Sequence, residues 1–301
     1  MTQNPYLYGA ASAEPPGYST RQPEKRGPDG GKTIWGQPDS KPGRFLWWDL
    51  LPVLPYFILT VVLPLGIWLL LGPAEIPDDD ASGPILADPQ AAFLENALYF
   101  VVLTALCLAV SAKALWRSLR VFTHTGLAWL KILLIPALYV GALLTNMILG
   151  MLAMGVTGVE PEVSANQMGI QEMTGVIPFW AALVVFGLLG PYVEEYFFRH
   201  LLIGKLSRHI NIWVCAVISM AIFALMHVWE ELVSGEFTLL IITLAPYLGL
   251  SVIFTLTYIF TGRSLMFVWL LHAFNNSMAL VMTYFVLPHV EDIMPVGFGI
   301  F

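Results

Sequence analysis

The sequence predicts an all-α integral membrane protein, folded as a polytopic bundle of transmembrane helices. Apolar residues make up 57% of the 301 residues and charged residues only 12%, whereas soluble domains average about 45–50% and about 25%. The apolar residues gather in long stretches, and Lys and Arg occur only in every second connection between them. A net charge of −7 offers no basic surface for nucleic acid, and two cysteines imply no disulfide framework.

Residues 1–44 precede the first apolar stretch and differ from the rest of the chain. They are rich in Pro, Gly, Ser, Gln and charge, and they have no apolar periodicity. Such a segment cannot bury enough apolar surface to offset its ordering entropy. We therefore predict a disordered tail over residues 1–44 and a transmembrane domain over residues 45–301. Trp47 and Trp48 mark the predicted water–lipid boundary, where indole rings prefer to lie.

Seven apolar stretches follow, and each is near or above the about 20 residues that a helix needs to cross a bilayer. An eighth span over 73–94 is an alternative, although the acidic run of that stretch argues against it. The third and fourth spans are long enough that we expect a tilt or a break, and Pro136 and Pro191 are the candidate break points, because proline removes a backbone donor. The predicted spans are residues 50–72, 95–115, 127–154, 176–204, 212–229, 237–261 and 264–287.

The charges of the connections orient the bundle. By the positive-inside rule, the basic tail is predicted to be cytoplasmic and the C-terminus to lie on the opposite side of the cell membrane. The basic residues of the connections are Lys113, Arg117, Arg120, Lys205, Arg208 and Arg263, with Lys131 shortly after the connection between the second and third predicted spans. The alternate connections, 73–94, 159–175, 230–236 and 288–301, carry no Lys or Arg but hold acids, including Asp78, Asp79, Asp80, Glu160, Glu162, Glu230 and Glu231.

The fourth predicted span contains two adjacent carboxylates and an arginine. Ionisable residues inside a span cost at least about 2.5–3.5 kcal/mol, so each indicates a functional site. Glu195 and Arg199 are four residues apart with the acid first, the favourable order for a same-face ion pair, and we interpret them as structural. Glu194 points about a quarter turn away and has no partner on its own helix. We predict that Glu194 is available to a reacting water.

The fifth and seventh predicted spans contain His227, His272 and Asn276. His272 and Asn276 are four residues apart, so they project from one helix face and can both donate hydrogen bonds to a developing oxyanion. Each of the three residues alone is also explained by hydrogen bonding between helices. Their spacing leaves both interpretations open.

Together these motifs resemble the CPBP family of intramembrane proteases, which comprises the type II CAAX prenyl proteases and their bacterial Abi-type, bacteriocin-processing relatives. The residues that carry the resemblance occur in order on three predicted spans and cover about residues 176–287, the expected catalytic core. The motifs are Glu194-Glu195-xxx-Arg199, Phe223-xxx-His227 and His272-xxx-Asn276.

The resemblance implies a helical intramembrane endopeptidase with a polar cavity that opens toward the cytosol. By position, Glu194 with His227 would activate a water, His272 and Asn276 would stabilise the oxyanion, and Glu195 with Arg199 would support the site. The implied partners are the bilayer and a membrane-associated protein or peptide substrate. Family members resemble eight-span bundles, whereas this sequence shows seven stretches.

Zinc is an alternative cofactor, since Glu194, His227 and His272 match a three-ligand catalytic zinc site by residue type. The sequence contains no HExxH helix, however. The family has been called a metalloprotease, but its mechanism is also described as a glutamate that acts on water without a ligated metal. We expect no obligatory zinc.

Two other functions compete with proteolysis. Membrane Glu and His chains also serve as proton relays in transporters, but residues 50–154 and 176–287 show none of the internal symmetry that transporters usually have. A non-catalytic immunity or scaffold protein would keep the fold without turnover. The intact set of motif residues favours a protease over both alternatives.

Overall fold

The computed structural model describes residues 39–71, 88–124, 128–160 and 162–290. Within these residues the chain forms helices and no strands, which confirms the predicted all-α class. Five helices are long and apolar enough to cross a membrane. They are Pro89–Thr123 (α2), Trp129–Thr157 (α3), Phe179–Arg208 (α5), Phe237–Phe260 (α8) and Leu265–His289 (α9).

The first and fifth predicted spans coincide with shorter apolar helices. These are Trp47–Val62 (α1), which continues in helical conformation over Leu63–Leu71, and Ile212–His227 (α6). Each of the seven predicted stretches thus contains a helix, and among the described residues five of these helices are both long and apolar enough to cross a membrane. The alternative eighth span falls mostly on residues 72–87, outside the described residues, as do residues 1–38 of the predicted tail.

Two short helices lie in connections that the sequence treats as loops. They are Ala165–Val176 (α4) and Trp229–Ser234 (α7). The hydroxyl of Ser164 caps α4 by accepting a hydrogen bond from the amide of Gln167. A carboxylate oxygen of Glu231, on α7, accepts a second bond from the amide of Ala165 over 2.8 Å. Side chains therefore satisfy the free amides at the start of α4 and tie α4 to α7.

Neither candidate proline interrupts its helix. The third span is helical without interruption through Pro136, so of the two alternatives, a tilt or a break, the break is not present there; transmembrane helices tolerate proline when neighbouring groups satisfy the freed carbonyl. Pro191 lies in a short α-helical segment, Gly190–Glu195. That segment is flanked by π-helical turns over Leu183–Leu189 and Tyr196–Lys205, so α5 changes its winding near Pro191 but does not stop.

Helix α5 lies at the centre of the bundle. In its most apolar window 67% of the residues are buried inside the protein, against 11–39% for the other four long helices. Its aromatic side chains Tyr192, Tyr196 and Phe198 form a core with residues of α2 and α6. Because α5 carries Glu194, Glu195 and Arg199, the centre of the bundle also contains the charges of the predicted site.

The basic connections meet at one end of the bundle. The hydroxyl of Ser264, after α8, donates to the carbonyl of Ser118 near the end of α2 over 2.9 Å. The guanidinium of Arg263 contacts the carbonyl of Gly204 at the end of α5 and pairs with Asp39 of the tail over 2.8 Å. Lys205 pairs with the buried carboxylate of Asp49 over 2.6 Å. Contacts between connections thus hold this end together, and they include the described end of the tail.

Candidate active site

The two adjacent glutamates project from the α-helical segment between the two π-helical turns of α5. A π-helical turn shifts the backbone hydrogen bonds from i→i+4 to i→i+5 and often marks a functional site. Side chains of neighbouring helices bond to carbonyls of these turns. Asn276 donates to Phe186, Trp269 to Leu188 and Ser219 to Phe198, over 3.1, 3.1 and 2.6 Å. The π-helical turns therefore attach α5 to both α6 and α9.

Glu194 lies close to two imidazoles from two other helices. Its Oε2 lies 3.7 Å from Nε2 of His227 on α6 and 3.7 Å from Nε2 of His272 on α9. The same oxygen is buried and accepts no hydrogen bond within the described part of the chain. The side chains of Glu194 and His227 are each 18% exposed, whereas His272 is 4% exposed. The structure thus brings together three of the four predicted catalytic side chains, with Glu194 and His227 on the accessible side.

The predicted Glu195–Arg199 ion pair is present, and it also holds His272. The guanidinium lies 3.2 Å from Oε1 of Glu195, and both side chains are fully buried. The same Oε1 lies 2.7 Å from Nδ1 of His272. Because a carboxylate paired with arginine can only accept, Nδ1–H of His272 donates to it. Arg199 also donates to the hydroxyl and carbonyl of Ser251 on α8.

Glu195 is therefore more than a partner for Arg199, because it fixes the orientation of a predicted catalytic imidazole. Because Nδ1 of His272 is hydrogen-bonded to Glu195, its Nε2 atom faces Glu194. The sequence spacing does not reveal this contact, since it depends on how α5 and α9 are rotated against each other.

A backbone carbonyl and two aromatic rings orient His227. Its Nδ1–H donates to the carbonyl of Phe223 over 2.8 Å, which leaves Nε2 facing Glu194. The imidazole packs against Phe223 at 4.5 Å and stacks on Tyr247 of α8 at 4.7 Å, between ring centroids. The hydroxyl of Tyr247 is hydrogen-bonded to that of Ser164 over 2.7 Å. Three groups thus hold the ring of His227 in one orientation.

Asn276 lies one turn beyond His272 on α9, as its spacing predicts. One amide hydrogen of its Nδ2 is donated to the carbonyl of Phe186, and its Oδ1 accepts a hydrogen bond from Asn275. Since the amide nitrogen has two hydrogens, one remains for another acceptor. The structure fixes the orientation of this side chain through α5, and its role as an oxyanion donor stays a prediction.

A cavity of about 710 Å³ lies against Glu194 and His227. Its wall is formed mainly by apolar and aromatic side chains of α1 and α2, and Thr60 of α1 is hydrogen-bonded to the hydroxyl of Tyr99 of α2 over 2.7 Å. The wall also contains Glu95 of α2, which no sequence motif singled out. Its only signal in the sequence is an acidic residue at the start of the second predicted span.

The described side chains do not form a metal centre. No group of three or more His, Cys, Asp or Glu side chains in the described ranges is arranged so that it could hold a metal ion. Glu194, His227 and His272 match a zinc site by residue type, but in this structure they do not form such a group. We therefore derive no step of the reaction through zinc.

One of three comparisons with known proteins found a match. No curated protein and no solved structure matches the chain. One family model, described as "Type II CAAX prenyl endopeptidase Rce1-like", matches residues 176–278, about a third of the chain. The matched segment contains Glu194, Glu195, Arg199, His227, His272 and Asn276. The match confirms that this segment has the sequence pattern of the CPBP family of membrane proteases, as its motifs predicted.

Proposed function

We propose that the protein is a CAAX-protease-like intramembrane endopeptidase that hydrolyses a peptide bond of a membrane-associated protein or peptide. The observation that supports this proposal most strongly is the position of Oε2 of Glu194, 3.7 Å from Nε2 of both His227 and His272. The three groups come from three helices, and two of them, Glu194 and His227, line a cavity large enough for a segment of peptide.

In the proposed reaction, Glu194 and His227 activate a water. Oε2 of Glu194 and Nε2 of His227 are both acceptors and lie 3.7 Å apart. One water whose oxygen lies about 2.8 Å from each atom can donate a hydrogen bond to both. The water then donates one proton to Glu194 while its oxygen attacks the scissile carbonyl carbon. The proton passes to the leaving amine when the tetrahedral intermediate collapses, so Glu194 acts first as base and then as acid.

His272 and Asn276 are the proposed donors to the tetrahedral oxyanion. When protonated on both nitrogens, His272 donates Nε2–H on the side of Glu194, while Nδ1–H stays bonded to Glu195. Asn276 retains one amide hydrogen beyond the one that Phe186 accepts. Donors that are fixed before the reaction stabilise the developing charge without a cost of reorientation. The contacts of both residues with α5 supply this fixation.

The proposal is tested by comparing the termini of membrane proteins in cells that carry the wild-type protein or its Glu194→Gln variant. Glutamine has nearly the same shape as glutamate but cannot take the proton of a water. We expect at least one new peptide terminus in the wild-type cells that is lost with the variant. The substitution should leave the amount of inserted protein unchanged, because Oε2 of Glu194 makes no hydrogen bond in the described structure. Identical sets of termini at equal protein levels would contradict the proposal.

A further inference from the structure

Glu95 places a second carboxylate in the wall of the cavity that contains Glu194 and His227. It lies on α2 one turn before Tyr99, and both side chains line the cavity from the same face of that helix. Glu95 is exposed, and within the described residues it makes neither a hydrogen bond nor an ion pair. It is therefore accessible to a ligand and has no countercharge in the described structure.

No cation balances the carboxylates of this cavity. Among the described residues that line it, none is Lys or Arg. Arg199 is fully buried behind the site and bonded to Glu195 and Ser251. On α2 itself, the nearest basic residue is Lys113, about 27 Å from Glu95 along the helix axis.

The remaining buried cations bond to groups outside the cavity. Lys131 donates to the carbonyl of Val121, Lys205 pairs with Asp49, and Arg263 pairs with Asp39. The cavity is thus a concave, mostly apolar site with carboxylates as its fixed charges. Such a site raises the local concentration of positively charged ligands and repels negatively charged ones.

We propose that Glu95 is a specificity-determining residue that selects substrate segments with a basic side chain near the scissile bond. This inference rests on the proposed function and names the chemical class of its substrate. The ammonium or guanidinium of the segment pairs with Glu95 while the adjacent peptide bond lies against Glu194.

The test measures peptide binding to the full-length protein in lipid nanodiscs by fluorescence anisotropy. The probes are three labelled, C-terminally amidated apolar 12-residue peptides that differ only in one central residue, Lys, Gln or Glu. We expect the Lys peptide to bind about five- to tenfold more tightly than the Glu peptide.

Variants of Glu95 assign this preference to one side chain. Glu95→Gln should remove the preference and Glu95→Lys should reverse it, whereas Glu236→Lys should leave it unchanged. Glu236 is a matched control because it is exposed, precedes α8 and does not line the cavity. Equal binding of the three amidated probes, or an equal shift with Glu236→Lys, would overturn the inference.

Binding does not require turnover, so the two proposals fail in different ways. If the wild-type protein binds the Lys and Glu peptides equally but still shows Glu194-dependent cleavage, only the role of Glu95 is overturned. Cleavage that persists in Glu194→Gln overturns the proposed function, while the binding preference still tests Glu95. Thermal unfolding of each variant confirms that it is folded, as expected for substitutions of exposed residues.

Discussion

At the scale of single residues, Glu195 contacts both the buried cation Arg199 and the proposed catalytic imidazole of His272. Its Oε1 lies 3.2 Å from Arg199 and 2.7 Å from Nδ1 of His272, and all three side chains are buried. The pairing with Arg199 follows from a spacing of four residues on one helix, so the sequence predicts it. The bond to His272 joins two helices whose relative rotation no spacing reveals, and for that reason the sequence did not predict it.

Substitutions of Glu195 and Arg199 separate the contribution of Glu195 to stability from its proposed effect on the orientation of His272. Glu195→Leu leaves Arg199 as a buried charge without its carboxylate, so we expect it to lower the free energy of unfolding by about 3–5 kcal/mol. The double variant Glu195→Leu/Arg199→Met removes both charges and should recover much of that loss. It should stay inactive, because His272 still lacks the acceptor that orients it. Thermal unfolding in detergent and cleavage of the identified substrate measure the two effects. A double variant with wild-type activity would contradict the positioning role of Glu195.

At the scale of helices, the apolar pattern predicts where the spans lie but not how they are wound. The stretches 127–154 and 237–261 correspond closely to α3 and α8. The sequence does not reveal the π-helical turns of α5, because an apolar helix has the same composition whether its carbonyls bond to the amide of residue i+4 or to that of residue i+5. Glu95 was missed for a related reason: it forms part of the site only through the packing of α2 against α5.

The close approach of α3 and α8 provides a test of helix packing. A Cβ added at Gly249 would collide with the side-chain oxygen of Asn146, whose backbone nitrogen is also only 3.4 Å away. We expect Gly249→Ala to push the helices apart and to lower the free energy of unfolding by about 1–3 kcal/mol. Gly150→Ala on α3 is the matched control, since nothing lies within 4 Å of its added Cβ. Equal unfolding temperatures for the two variants would argue against this interface.

At the scale of the whole molecule, the arrangement of charges predicts the orientation in the membrane. The contacts of Arg263, Ser264 and Lys205 gather the basic connections at one end of the bundle, and the predicted cytoplasmic tail joins that end through Asp39. Glu231 lies in a connection without Lys or Arg, where it bonds the first turn of α4. The charges of the sequence were sufficient to predict these two groups of connections.

Cysteine labelling on intact cells tests this orientation. Cys107 and Cys215 are fully buried and can be replaced by alanine. In that background, Ser234→Cys should react with a membrane-impermeant maleimide from outside, because Ser234 lies in an acidic connection. Lys41→Cys, in the tail, should react only after the cells are permeabilised. The reverse pattern would show that the bundle has the opposite orientation.

In the proposed reaction, Glu194 activates a water whose oxygen attacks the peptide carbonyl directly. The decisive measurement is cleavage in H₂¹⁸O of the substrate that the comparison of termini identifies, limited to a single turnover and followed by mass spectrometry. We predict one ¹⁸O atom in the new carboxylate with the wild-type protein and no product with Glu194→Gln. An unlabelled carboxylate would instead show that a protein oxygen was transferred, and undiminished cleavage by Glu194→Gln would show that this carboxylate is not the base.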